Sequence, residues 1–161
     1  MAVIIGIDPG SRRTGYGIIR IEGNHHIYLA SGFLDVATYP LGEKLRQIFL
    51  GLQNLIQTFH PQEAAIEQIF MHENPNSALK LGQARGAAIV ALDIPIAEYS
   101  AREVKKSVVG NGAAKKEQVQ YMVSRLLKLA QPLQADAADA LAVALCHAHM
   151  RNLRDILSRK T

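Results

Sequence analysis

Apolar positions run in short stretches through the first third of the chain and then change to a helical period. VIIGID (3–8) is an apolar run closed by Pro-Gly, and TGYGIIRIEG (14–23) and HHIYLASGFLDV (25–36) are rich in β-branched and aromatic residues, with Gly-Asn between them. This pattern predicts three strands joined by short turns, and therefore antiparallel. In LGEKLRQIFLGLQNLIQTF, residues Leu41, Leu45, Ile48, Phe49, Leu52, Leu55, Ile56 and Phe59 share one face of a helix that should lie on the core. EAAIEQIF (63–70) predicts a fourth strand, the segment from about Asn76 to Leu92 a helix, and PIAEYS (95–100) a fifth strand. Helices follow over about 101–108, 115–129 and 135–149, with GNGAA as the loop between the first two. No internal repeat or low-complexity linker interrupts the order. Strands and helices in this sequence imply an α/β domain whose mixed sheet is covered by helices. Gly82 and Gly86, four residues apart in one helix, make a smooth strip for close approach, either to the sheet or to a second subunit.

The length of 161 residues suits one domain, expected over 1–150 with a short basic tail over 151–161, and is long enough to bury roughly two thirds of the unfolded surface. A hydrophobic content of 48% with 20% charged residues excludes a disordered chain. The single Cys146 cannot close an internal disulfide and reads as core. No window approaches the ~20 apolar residues of a membrane span, and MAVIIGIDPG does not read as a secretory leader, so a cytoplasmic location is expected, with no membrane partner. The net charge of +4 is unevenly spread. Residues 102–128 hold seven Lys and Arg against two Glu, a local +5, and the tail adds four against one. A basic segment and tail on a mildly acidic body suit a polyanionic partner.

Against that background QADAADALAVAL (134–145) is unexpected, because an alanine-rich helix carries two aspartates. Asp136 and Asp139 lie ~60° apart around the helix axis and share a face. A carboxylate in apolar surroundings needs a partner, a hydrogen bond or a metal. Taken singly, each acidic residue has a bland explanation. Asp136 suits an N-cap, Asp139 a solvated edge, Asp8 a turn ahead of Pro-Gly, and Glu67 a strand residue facing solvent. Taken together they place carboxylates at the end of one strand, within a second and on a covering helix. If they converge, mutual repulsion calls for cations, and oxygen-only donors favour Mg²⁺ or Mn²⁺. The absence of a Cys/His cluster at ligand spacing makes zinc a poor fit. His25, His26, His60, His72, His147 and His149 have no spacing that suggests catalysis.

GIDPGSRRTGYG, AIEQIFMHENPNSALKLGQARG, YSAREVKKSVVGNGAAKKEQVQ and QADAADALAVAL, in this order and spacing, resemble the RuvC family of Holliday-junction resolvases, from Met1 to about His149. The resemblance implies a ribonuclease-H-like fold, a five-stranded mixed sheet with helices on both faces. It implies a homodimer and a Mg²⁺-dependent endonuclease that cuts four-way DNA junctions into 5′-phosphate and 3′-hydroxyl ends. The family's acidic ligands map onto Asp8, Glu67, Asp136 and Asp139; some members have His where Asp136 stands. Two ions about 3.5–4 Å apart would activate a water and stabilise the leaving 3′-oxygen, with Mn²⁺ able to replace Mg²⁺.

By the same resemblance Lys105 and Lys116 stand near the cut phosphodiester, and Phe70 stacks on an unpaired base, a contact worth ~1–3 kcal/mol. The core position of a Phe at a strand end remains open for Phe70. Arg102, Lys106, Lys115 and Lys128 suit flanking phosphates or, equally, a solvated helix face. Asn74 and Asn76 in the loop MHENPNS could contact bases. Delivery of the junction by a RuvA–RuvB branch-migration complex and a thymine-rich cut site are also family expectations. Three other readings compete. The strand-Asp-Pro-Gly start resembles the phosphate hairpin of actin-like and sugar kinases, which need two such domains. A YqgF-like ribonuclease shares the fold but acts on RNA. A junction-binding module would keep the carboxylates without catalysis.

Overall fold

The computed structural model describes residues 1–69 and 74–158, without the side chains of 154–158. Ten elements follow in the order β1 (Ala2–Asp8), β2 (Arg13–Glu22), β3 (His25–Asp35), α1 (Leu41–Phe59), β4 (Glu63–Glu67), α2 (Pro75–Leu92), β5 (Ile96–Tyr99), α3 (Ala101–Val109), α4 (Lys116–Leu126) and α5 (Ala135–Ser158). The sheet order is β3-β2-β1-β4-β5. The hairpin-linked strands β1, β2 and β3 pair antiparallel, whereas β4 and β5 join in parallel after helical crossovers, so the sheet is mixed as expected.

Alternation along the strands divides the core in two. Val3, Ile5, Ile7, Ile18, Ala64 and Ile66 pack under α1 and α2. Ile4, Ile19, Ile21, Ala65 and Tyr99 pack under α5, flanked by α3 and α4. Helices therefore cover both faces. α5 comes unusually close to the sheet because β1 and β2 present glycine beneath it. A Cβ on Gly6 would stand 2.2 Å from Ala140 O, and one on Gly15 2.2 Å from Asp136 O. Real carbon contacts lie near 3.5–4.0 Å, so only a bare backbone admits the helix there.

Two turns along α5 from Asp139, the buried His147 accepts a hydrogen bond from, or donates one to, Tyr99 Oη at 2.8 Å and meets Glu63 Oε2 at 2.6 Å. Arg151 Nη2 adds a bond to Glu63 Oε1 at 2.8 Å. These contacts tie β4, β5 and α5 into one body.

Three boundaries differ from the sequence expectation. β4 stops at Glu67 rather than Phe70, with a last sheet-like bond from Gln68 N–H to Tyr99 O at 2.8 Å. α4 stops at Leu126 because Lys128 turns left-handed, with φ of 54°. α5 continues to Ser158 instead of ending at 149. No described helix is long and apolar enough to cross a membrane.

Candidate active site

The register of the sheet sets the first two carboxylates. Ile7 pairs with Ile66, which puts Asp8 and Glu67 side by side at the next position, at the C-terminal ends of two parallel strands. They share a side-chain hydrogen bond. On β2 the neighbour of Asp8 is Gly15, and the space this glycine leaves admits the first turn of α5. That turn carries Asp136, and Asp139 follows one turn later on the same face. Asp8, Glu67, Asp136 and Asp139 are thereby gathered from three elements around the C-terminal ends of two interior strands.

Electrostatics register the gathering. Burial, then the charges of Glu67, Asp139 and Asp136, push the Asp8 carboxyl up to about 8. Burial also raises Glu67; the bond with Asp8 opposes this, the charge of Asp139 adds to it, and Lys105 and Lys116 lower it. Asp139 is raised by burial, against the lowering effect of Lys116 and in the same sense as Asp136. A buried group that strains toward its neutral form among three others of the same sign would be relieved by a cation. The donors are all oxygen, so a hard divalent ion fits them and a thiophilic one does not.

As positioned, the side chains are divided rather than drawn into one ligand shell: among the described residues no three acidic, His or Cys side chains are close enough to enclose an ion. Asp136 Oδ2 accepts from Gln134 Nε2 at 2.6 Å and lies 3.9 Å from Arg13 Nη1. Asp139 Oδ2 lies 3.4 Å from Lys116 Nζ. Both cationic partners are more than half exposed, and such ion pairs are worth about 0–1 kcal/mol, weak enough to yield to a divalent cation.

Lys105 and Lys116 line a cleft of about 210 Å³ with Asp139, roofed by Val104, Val119 and Ala142. Arg102 and Lys106 are exposed on α3, and Lys115 is exposed at the start of α4 beside this cleft's rim. Lys128 is also exposed, but it lines a hollow with Glu22, His25 and His26 at the far end of the sheet. Gly15, beside Asp8, and Glu22 are seven positions apart on β2, about 23 Å of strand. Asn74 is the N-cap of α2: its Oδ1 accepts from Asn76 N–H at 3.0 Å and Ser77 N–H at 3.4 Å, with Pro75 opening the helix. Asn76, expected in a base-contacting loop, lies within that first turn. Phe70 lies outside the described residues, as do residues 71–73 of the adjoining loop. Cys146 is buried.

Two contributors were not visible as such in the sequence. Arg13 reaches Asp136 from the β1–β2 turn, and Gly6, Gly15 and Gly17 form the strip under α5. The alternation of Gly15 and Gly17 on one face of a strand was the available signal.

The family model for the crossover junction endodeoxyribonuclease RuvC matches residues 4–147. The chain belongs to this family. The RuvC of Tolumonas auensis is 60% identical over 152 residues, covering 92% of this chain and 88% of that protein. That of Shewanella sp. W3-18-1 is 56% identical over 154 residues, covering 94% and 89%. Among solved structures, Thermus thermophilus RuvC in complex with Holliday junction substrate superposes with a TM-score of 0.90 at 31% identity, covering 95% of this chain and 96% of that one. The fold is the ribonuclease-H-like α/β fold of that family, and its members are metal-dependent nucleases.

Proposed function

We propose that the protein resolves four-way (Holliday) DNA junctions by paired, symmetric, Mg²⁺-dependent phosphodiester hydrolysis, leaving 5′-phosphate and 3′-hydroxyl ends, in recombination and repair. The observation that carries this reading is the convergence of Asp8, Glu67, Asp136 and Asp139 beside Lys105 and Lys116, within a chain of the crossover junction endodeoxyribonuclease family. The four carboxylates would hold Mg²⁺, or Mn²⁺ in its place, as two ions. When bound, the metal would lower the pKa of an attacking water and offset charge on the leaving 3′-oxygen. Lys116, beside Asp139, and Lys105, close enough to act on Glu67, present fixed cations to the non-bridging oxygens on which charge builds. Arg102, Lys106 and Lys115 would hold neighbouring phosphates without reading sequence. Lys128 would meet only an arm that runs the length of the sheet. Phe70 would stack on a base at the crossover, and Asn74, committed by its oxygen to the helix cap, keeps its amide donors for DNA. One nuclease domain over 1–150, followed by basic residues, belongs to the same proposal, as do action in the cytoplasm and delivery of the junction by a RuvA–RuvB complex.

Two symmetric nicks require two related sites, and the exposed α2 surface is the face on which a second copy would sit. Ala84, Ala88, Ala91 and Leu92 turn into the core, while Gly82 and Gly86 face outward with open space, between Leu79 at 67% and Val90 at 68% exposure. A second copy seated on this strip would make the homodimer.

The test is cleavage of a synthetic immobile junction and a matched duplex, each with Mg²⁺ or EDTA, by the native chain and by Asp139→Asn. Paired nicks in the junction alone, only with Mg²⁺, and lost in the variant while binding persists, are expected. Junction binding without cutting under any divalent ion would instead favour the binding module, and an Asp139→Asn protein that cut at the native rate would remove the metal assignment.

A further inference from the structure

Asp136 and Asp139, one turn apart on α5, line two different clefts. The cleft with Lys105 and Lys116 has its role in the reading above. The other, of about 510 Å³, is bounded by the β1–β2 turn from Gly10 to Arg13, by Asp35 and by Asp136. Its turn is firmly set. A Cβ on Gly10 would strike Arg13 O at 2.1 Å, so the chain can fold back tightly only with glycine there. The buried Thr14 hydroxyl donates to Gly10 O at 3.4 Å, and Val36 N–H donates to Arg12 O at 2.9 Å. Arg12 and Arg13 therefore emerge together, both exposed, next to the strand end that carries Asp8.

Arg13 is propped but not occupied. Its guanidinium lies over the Phe33 ring at 5.1 Å from the centroid, on the adjacent strand. It stands 4.0 Å from Asp35 and 3.9 Å from Asp136, distances of ion pairs without hydrogen bonds, and its side chain is 51% exposed. Among the described residues its guanidinium donates no hydrogen bond, so a planar fork of five N–H groups is held beside a ring with its donors unspent. That is the arrangement that suits bidentate contact with a phosphate.

We propose that Arg13, with Arg12 beside it, seats a backbone phosphate of the bound DNA on the flank of the cut opposite Lys105 and Lys116. Two arginines facing two aspartates leave the cleft close to neutral, a poor trap for a free anion. A phosphate already tethered by contacts elsewhere along the same strand arrives at high effective concentration and needs only this geometry. The inference rests on the resolvase reading for the identity of the DNA, though not for the phosphate contact itself.

The test uses the full chain carrying Asp8→Asn to prevent cutting, with and without Arg13→Gln, and fluorescence anisotropy on the immobile junction and on duplex across a range of KCl. One lost phosphate contact should raise Kd about five- to tenfold and make the slope of log K against log salt shallower by about 0.9. The effect should be equal for junctions of different sequence. Arg13→Lys should restore the slope and only part of the affinity. Millimolar inorganic phosphate should not compete. Unchanged Kd and slope in Arg13→Gln would overturn the proposal. So would a fall in melting temperature that Arg13→Lys repairs while the slope never moves, since Arg13 would then merely tie Asp35 to Asp136. If the Asp8→Asn protein shows no preference for the junction over duplex, the resolvase reading fails separately; a slope change on duplex would still establish the phosphate seat.

Discussion

Asp8 combines burial with three like-charged neighbours, and its carboxyl is held up to about 8. A residue kept in place at that cost is doing something other than stabilising the fold, and its removal should help the metal-free protein. In EDTA at neutral pH, Asp8→Asn is expected to melt about 2–4 °C above the native chain, a gain of about 1 kcal/mol for a domain of this size. Added Mg²⁺ should raise the native melting temperature and leave the variant nearly unchanged. A variant that melts lower in EDTA would mean that the carboxylate is a structural hydrogen-bonding group. At this scale each acidic residue was ordinary when taken singly, and the four were picked out only by their joint placement on two strands and a covering helix, while Lys105 and Lys116 were picked out by the family resemblance. Arg13 was not, because an arginine in a polar turn contradicts nothing; only its stacking on Phe33 and its approach to Asp136 set it apart. The hydrogen bonds of Asn74 were hidden for a similar reason, since Asn before Pro suits a cap as well as a base contact.

α5 positions Asp136 and Asp139 only because β1 and β2 leave it room, and this makes a prediction about an element rather than a side chain. Gly15→Ala would put a Cβ 2.2 Å from Asp136 O, so the first turn of α5 must retreat by more than about 1 Å to restore normal contact. Displacements of that size at a reacting centre cost on the order of 100-fold in rate. Junction cleavage should fall by about that factor with little change in DNA affinity, because the basic residues lie on other elements, and stability should fall by about 1–3 kcal/mol. Loss of affinity in step with rate would argue against it. The far part of α5 is held to β3 by His26 and His149, whose rings meet edge to face at 5.2 Å, with His149 Nδ1 3.0 Å from Ser107 Oγ. Burial, then His149 and His25, lower His26; burial lowers His149 against a hydrogen bond to the Ser107 backbone. The unfolded chain therefore takes up these protons first, near pH 6.5, and folding stability must fall as the pH drops below about 6.5. Melting curves between pH 8 and 5 should show this slope flattened in His26→Gln, and an identical slope would reject the assignment. The helix α1 was legible to the residue from its period, but the ends of α4 and α5 were not. Lys128 closes α4 by adopting a left-handed conformation usually left to Gly or Asn, and no Gly or Pro follows Met150 to stop α5.

At the scale of the whole molecule, alternating patterns predicted how many strands there are and which lie next to each other at the start, while the order β3-β2-β1-β4-β5 is visible only in the structure, since periodicity carries no information about where a crossover strand inserts. Periodicity likewise left open whether Gly82 and Gly86 face the sheet or the outside. They face out, and an exposed helix surface with glycine at its centre and Leu79 and Val90 at its ends is unfavourable for a chain that works alone. Gly86→Glu separates the two explanations. A side chain there meets nothing within 4 Å of this chain, and Glu is a better helix former than Gly by a few tenths of a kcal/mol, so the isolated fold should be unharmed. In a two-fold pair the same substitution enters the contact twice, placing two like charges where two backbones should touch. Sedimentation should then report a monomer in place of a dimer, and a supercoiled plasmid bearing an extruded junction should be released with one nick rather than two opposed ones. A variant that remains dimeric and still cuts both strands together would move the interface to another surface and leave the glycine strip as solvent-facing helix.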